Sequence, residues 1–335
     1  MYPRHLRKFL HQLASQRRAL KQARRHKTSP RKEAPRIPKR EDGEISKGAA
    51  GIECPEVLDF DLDGERSARF FFDLERALYG RAAQLIVDHR PLKTLSPAAA
   101  LVLIAHLYRA YRRRPELGLF VHLPTAAQPR DLLGLIGYYR YFKGVKWEAP
   151  ADAQRYYLEH KRGEKVLPED AASLCIHLHL QGTLSTAKLY AALIEGMGNA
   201  IEWGYDRKEK GYRWWWLLGY RDDQTGEMAY SLYDQGVGIP VSIRTRFTDW
   251  FPGLRPPGSE LIERAVLEGR YSRSKEKGRG TGLPTLLDFV EEGSDGELLI
   301  LSNESRCIFR HGQPVRRDDF NIGLRGTLIS WNFQP

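Results

Sequence analysis

The chain has 335 residues, 41% of them hydrophobic, which is room for about two domains of roughly 150 residues with packed cores. That composition excludes a wholly disordered chain, and no stretch reaches the roughly 20 apolar residues of a membrane span. The net charge of +11 is unevenly placed: residues 1–40 hold 14 Lys+Arg against Glu33 alone, and the remaining residues sum to −2.

The opening residues Arg4, Arg7 and Lys8 lead into mixed polar sequence without the apolar core of a secretion signal. Three widely spaced cysteines, Cys54, Cys175 and Cys307, argue against a disulfide framework. The expectation is a cytoplasmic protein with no membrane partner.

Taken in chain order, Leu6, Phe9, Leu10 and Leu13 recur at helical spacing among basic residues, and Pro30, Pro35, Pro38 and Pro55 then punctuate a charged linker. Residues 1–56 therefore read as a basic arm and linker. The arm suits either docking on an acidic partner, nucleic acid included, or a solvated tail. Residues 57–146 read as a small α/β domain. A helix at 70–79, a strand at 83–87, a helix at 98–111, a strand at 118–123 and a helix at 131–142 alternate as a partly parallel sheet requires. Ser96-Pro97 opens the most apolar helix as an N-cap followed by proline.

Residues 147–170 read as a connector containing one helix, 151–160. A second α/β domain is expected over 171–335. Its elements are a strand at 174–180, a long helix at 186–204 and a hairpin of strands 212–220 and 228–233. Helices at 259–269 and 283–292 and closing strands at 298–302, 307–310 and 326–332 follow. Trp214, Trp215 and Trp216 alternate faces in the hairpin and are expected beneath a helix rather than on stacked bases. On a strand, Cys175, His177 and His179 share a face. They offer three soft zinc ligands with no evident fourth.

Four short patterns in this second domain could carry chemistry. Glu195 and Asn199, four apart on a helix, share one face, and a carboxylate with a carboxamide suits proton abstraction beside Mg2+. Asp234-Gln-Gly236-Val-Gly238-Ile-Pro follows a strand. Its carboxylate can accept from an exocyclic amine and its glycines permit close backbone approach, although a tight turn needs the same residues. Gly278-Arg279-Gly280-Thr281-Gly282-Leu opens a helix with free backbone N–H groups, a phosphate cradle by chemistry. Gly326-Thr327 lies on a late strand.

In this order, with 35 residues from Asn199 to Asp234, the four patterns resemble the boxes of the GHKL superfamily of Bergerat-fold ATPases. The resemblance covers 171–335 and implies a mixed sheet covered by helices, with ATP and Mg2+ as cofactors. It implies Glu195 as general base, Asn199 as the Mg2+ holder and Asp234 on the adenine amino group with Thr327 nearby. Gly236 and Gly238 would line the base pocket, and Gly278, Arg279, Gly280, Thr281 and Gly282 would surround the phosphates. ATP-driven homodimers are common in the superfamily.

Glu195-Gly-Met-Gly-Asn199-Ala-Ile-Glu-Trp203-Gly-Tyr205 is locally most similar to the helix of anti-sigma-factor serine kinases, with Trp203 where those carry histidine. Residues 57–146 resemble the STAS-like domains that such kinases phosphorylate. That resemblance implies Ser96 as a phosphoacceptor, against its plainer role as an N-cap. Two functions stay open: hydrolysis of ATP or γ-phosphate transfer to a protein Ser/Thr, and an ATP-gated binding module with little turnover.

Overall fold

A computed structural model describes residues 48–177, 186–202, 204–205, 213–243, 256–268, 282–291 and 296–333. The architecture is mixed α/β, with parallel and antiparallel sheets.

A small parallel sheet has the order β1 (Ala50–Glu53), β3 (Gln84–Asp88), β5 (Gly118–His122). Its edge strand β1 lies in the segment expected as linker. A two-stranded parallel pair joins β2 (Val57–Leu58) to β4 (Thr94–Leu95). Around them run α1 (Gly64–Leu78), α2 (Pro97–Arg113) and α3 (Ala127–Leu135), followed by a 3-10 turn at Tyr138–Tyr141. The helix expected at 131–142 is thus a shorter helix and a tighter turn, divided at Gly137, whose φ of 81° an α-helix cannot hold.

The large sheet is antiparallel throughout. Its order is β6 (Tyr156–Gly163), β7 (Trp215–Asp222), β8 (Met228–Asp234), β10 (Arg316–Phe333), β9 (Gly296–Arg310). Four expectations are corrected here, the first being the mixed sheet that the resemblance implied for 171–335. Residues 156–163, read as the end of a connector helix at 151–160 and the connector after it, form the sheet's edge strand. The two closing strands at 298–302 and 307–310 are one strand, kinked at Asn303 with φ 54°. The strand expected at 174–180 is helix α4 (Pro168–His177) as far as it is described, and 178–180 lie outside the described residues. Ala171, Leu174 and Cys175 recur at i, i+3 and i+4, one buried face of that helix.

Helices α4, α5 (Thr186–Glu202), α6 (Gly258–Glu268) and α7 (Gly282–Glu291) cover one face of the large sheet, where Trp215, Leu217, Leu232, Ile300 and Trp331 join their core. The opposite face carries Trp216, Leu218, Tyr233, Leu301 and Leu328, which share a core with α1 and α2. The period-2 alternation of β7 thus sends neighbouring tryptophans to opposite cores, as the triple Trp predicted. Helix α2 is buried on nearly every side from Pro97 to Leu107 because it lies against β7 and β8 as well as α1 and α3. Ser96 caps it, accepting from Ala99 N–H at 3.3 Å.

Two indoles tie the sheet to its surroundings: Trp215 Nε1 donates to Lys165 O at 2.8 Å and Trp331 Nε1 to Leu286 O on α7 at 3.0 Å. All three cysteines are buried and free. Among the described residues no helix is long and apolar enough to cross a membrane.

Candidate functional site

Asp234 ends β8 opposite Thr327 of β10, and the two strands carry it to the end of the large sheet. Its carboxylate is fully enclosed and accepts from the backbone N–H groups of Gly236, at 2.8 Å, and Thr327. Burial raises its pKa to about 7, and the two N–H bonds only partly offset that rise. Such a carboxyl is held in place yet short of solvation, as an acceptor for an incoming N–H donor needs to be.

The turn after Asp234 is shaped by close backbone contact. A Cβ on Gly236 would lie 1.6 Å from Gly204 O, and Val237 N–H donates to the same carbonyl at 2.5 Å. Gly204 closes α5, its N–H donating to Asn199 O and Ala200 O at 3.1 Å each. The end of the helix carrying Glu195 and Asn199 is therefore seated directly on the Asp234–Gly236 turn. These contacts explain Gly236 by chain packing alone, without a ligand. Gly238 has φ 83° and its missing Cβ would meet the Asn303 amide.

Glu195 and Asn199 are half-buried on α5. Burial, assisted by the nearby Glu202 carboxylate, pushes the Glu195 pKa upward. The Asn199 amide nitrogen is buried with no hydrogen-bond partner. An amide can present its oxygen there equally well, which fits an oxygen ligand to a hard cation. Beyond Asn199 the enclosed donor set is sparse. Among the described residues no three His, Cys, Asp or Glu side chains cluster as metal ligands, so a bound Mg2+ would draw its other oxygens from phosphates and water.

Gly278, Arg279, Gly280 and Thr281 lie outside the described residues, as do Trp203 and His179. Gly282 begins α7, which lies along α5. Leu283 of α7 and Ile239 of the Asp234 segment pack on one small cluster, Ile243, Leu261 and Ala265. The helix following the glycine-rich segment thus starts beside the other elements.

Residues not singled out from sequence complete the site. Ser302 of β9 is fully buried; its hydroxyl bonds Thr327 Oγ1 at 2.9 Å, donates to Gly326 O at 3.1 Å and accepts from Ile239 N–H at 2.8 Å. Asn303 donates to Val237 O at 2.8 Å, and Tyr205 OH links Gln235 N–H to Trp214 O. No local signal marks Ser302 or Asn303, since their partners are 24 to 66 residues away.

Ser96 falls elsewhere. It lines a cavity of about 620 Å3 with Glu227, Gly296, Glu297 and Phe333, at the Met228 end of β8. The seven residues of that strand separate it from Asp234 by about 20 Å at ~3.3 Å per residue. Neither models of known protein families nor curated protein sequences give a match to this chain.

Proposed function

We propose that this chain is a Mg2+-dependent ATP-binding protein of the Bergerat (GHKL) type that hydrolyses ATP or transfers its γ-phosphate to a protein Ser/Thr in a regulatory role. The observation supporting this reading is the enclosed Asp234 carboxyl beside Thr327, with the end of α5 seated on its turn and Leu283 of α7 packed on the same small cluster as Ile239.

In this reading Asp234 accepts the adenine amino group, since its two backbone donors leave acceptor capacity free. Thr327 and Ser302 hold the floor of the base pocket. Glu195, whose proton affinity is raised by burial, takes the proton from the attacking water or hydroxyl. Asn199 would hold Mg2+, which would supply neutralisation of phosphate charge. Gly278, Arg279, Gly280 and Thr281, with Gly282 at the start of α7, would contact the phosphates. Ser96 would receive phosphate only from a second molecule, because it lies at the far end of β8.

One departure favours the second reading, an ATP-gated binding module with little turnover: Trp203 stands where the similar serine kinases carry histidine. In that case ATP regulates docking of a protein or nucleic-acid partner through the basic arm or residues 57–146, or pairing with a second copy. Release or transfer of label from γ-labelled ATP with Mg2+ separates the two. Turnover that disappears in Glu195→Ala while ATP still binds supports the enzyme. ATP binding without turnover in the wild type supports the switch.

A further inference from the structure

The cavity that Ser96 lines encloses about 620 Å3, the size of a small-molecule site, and lies at the opposite end of β8 from Asp234. Four carboxylates line it, those of Asp59, Asp61, Glu227 and Glu297, against the basic side chains of Arg310 and His311. Two of the four are answered in place. Arg310 pairs with Glu297 and lies 3.4 Å from Asp61, and Arg316 lies 3.7 Å from the other Asp61 oxygen.

Asp59 and Glu227 have no such partner. Among the described residues neither is within ion-pair distance of a basic side chain. The Arg306 charge reaches Asp59, but that guanidinium is committed to Asp318, at 2.6 Å, and to the Phe60 carbonyl. Asp59 Oδ1 accepts from the N–H groups of Asp61, at 2.7 Å, and Leu62, at 3.0 Å, whereas the Glu227 carboxylate has no hydrogen bond. Burial raises the pKa of both, and the Asp222 and Asp59 charges push Glu227 further up. The two carboxylates are thus close enough to repel each other and lack a counter-charge.

Two more features define the ligand that would supply it. Among the described residues no three His, Cys, Asp or Glu side chains converge as metal ligands, so the negative charge is spread around the wall instead of gathered on one point. Phe60, Leu299 and Phe333 line the same cavity and offer an apolar surface to a hydrocarbon spacer.

We propose that this cavity is a binding site for an alkyl diamine or polyamine, whose ammonium groups pair with Asp59 and Glu227 while its methylenes lie on the apolar wall. Each ammonium brings three donors and one positive charge to a carboxylate that now has no cation. The site is separate from the proposed nucleotide pocket and does not depend on that reading.

The test is calorimetric titration of the full chain with putrescine, spermidine, n-butylamine and MgCl2 at constant ionic strength. Putrescine binds saturably at one site, and spermidine binds at least as tightly. Butylamine, with the same carbon chain and a single charge, binds at least about tenfold more weakly. Glu227→Gln weakens putrescine by a similar factor. Its side chain holds no hydrogen bond, so the variant keeps the fold, which circular dichroism checks. Asp59→Asn retains the Oδ1 acceptor of its turn and weakens putrescine likewise. Glu148→Gln, an exposed acid outside the cavity, does not. The net charge of +11 opposes nonspecific collection of cations, so saturable binding reports the cavity. Absence of saturable putrescine binding, equal binding of butylamine, displacement of putrescine by equimolar Mg2+, or an affinity unchanged in Glu227→Gln would overturn the proposal.

Discussion

Consecutive residues of β8, Tyr233 and Asp234, show two uses of burial. Tyr233 belongs to the core shared with α2, where its hydroxyl donates to Arg325 O and meets His106 Nε2 at 3.1 Å. His106 is neutral there, its pKa pushed down to about 3 by burial and the Arg109 and Arg325 charges. Asp234 is equally buried, but its carboxyl retains acceptor capacity and its pKa rises to about 7. Enclosure with a neutral partner makes a residue inert. Enclosure with spare acceptor capacity is what the proposed adenine contact would use.

The sharpest way to break this comparison is through the core to which Tyr233 belongs. Trp216→Ala, on the α2 side, should cost about 3–5 kcal/mol. Urea unfolding followed by fluorescence and by circular dichroism should still show one coincident transition, because α2 and the sheet share a core. Two separated transitions would divide the chain at that interface.

The pH dependence of stability separates the two groups by sign. Folded Asp234 holds its proton more tightly than the unfolded chain, whose aspartates titrate near pH 4. Stability from this group is therefore present at low pH and declines from about pH 4 to about pH 7, by at most about 4 kcal/mol. Asp234→Asn should flatten that decline and stabilise the unliganded protein at pH 8. His106 acts in the other direction. Its unfolded form takes up a proton near pH 6.5 while the folded form resists to about pH 3, so stability falls as pH drops through that window. His106→Gln should flatten only the acid limb, and by a part of it, since His89 is shifted down in the same way. Denaturation midpoints from pH 3 to 9 measure both. The smallest effect is expected at Ser96→Ala, about 1 kcal/mol of lost helix cap with ATP handling unchanged.

How far the sequence discloses this architecture varies by element. The Ser96-Pro97 cap and the alternating tryptophans are local signals, and both elements form where they point. Helix α4 is misread because its start, Pro168-Glu169-Asp170, lies in the segment assigned to the connector, so only its apolar middle is weighed. Strand β6 is misread because its charged residues, typical of a sheet edge, look helical in isolation. The candidate site divides in the same way. Glycine spacing and the strand-end Asp234 are visible in the sequence. Ser302 and Asn303 are not, because strands distant in sequence create their surroundings.

The most direct measurement is calorimetric titration of ATP with Mg2+ into the full chain, with GTP as comparison. The account predicts saturable one-site binding of ATP and a GTP affinity at least about tenfold lower, since GTP presents no amino group where adenine does. Asp234→Asn should lose the ATP preference: the Gly236 and Thr327 N–H groups claim the new amide's oxygen and turn its NH2 toward the ligand. Absence of ATP binding, or ATP binding unchanged in Asp234→Asn, would contradict the account.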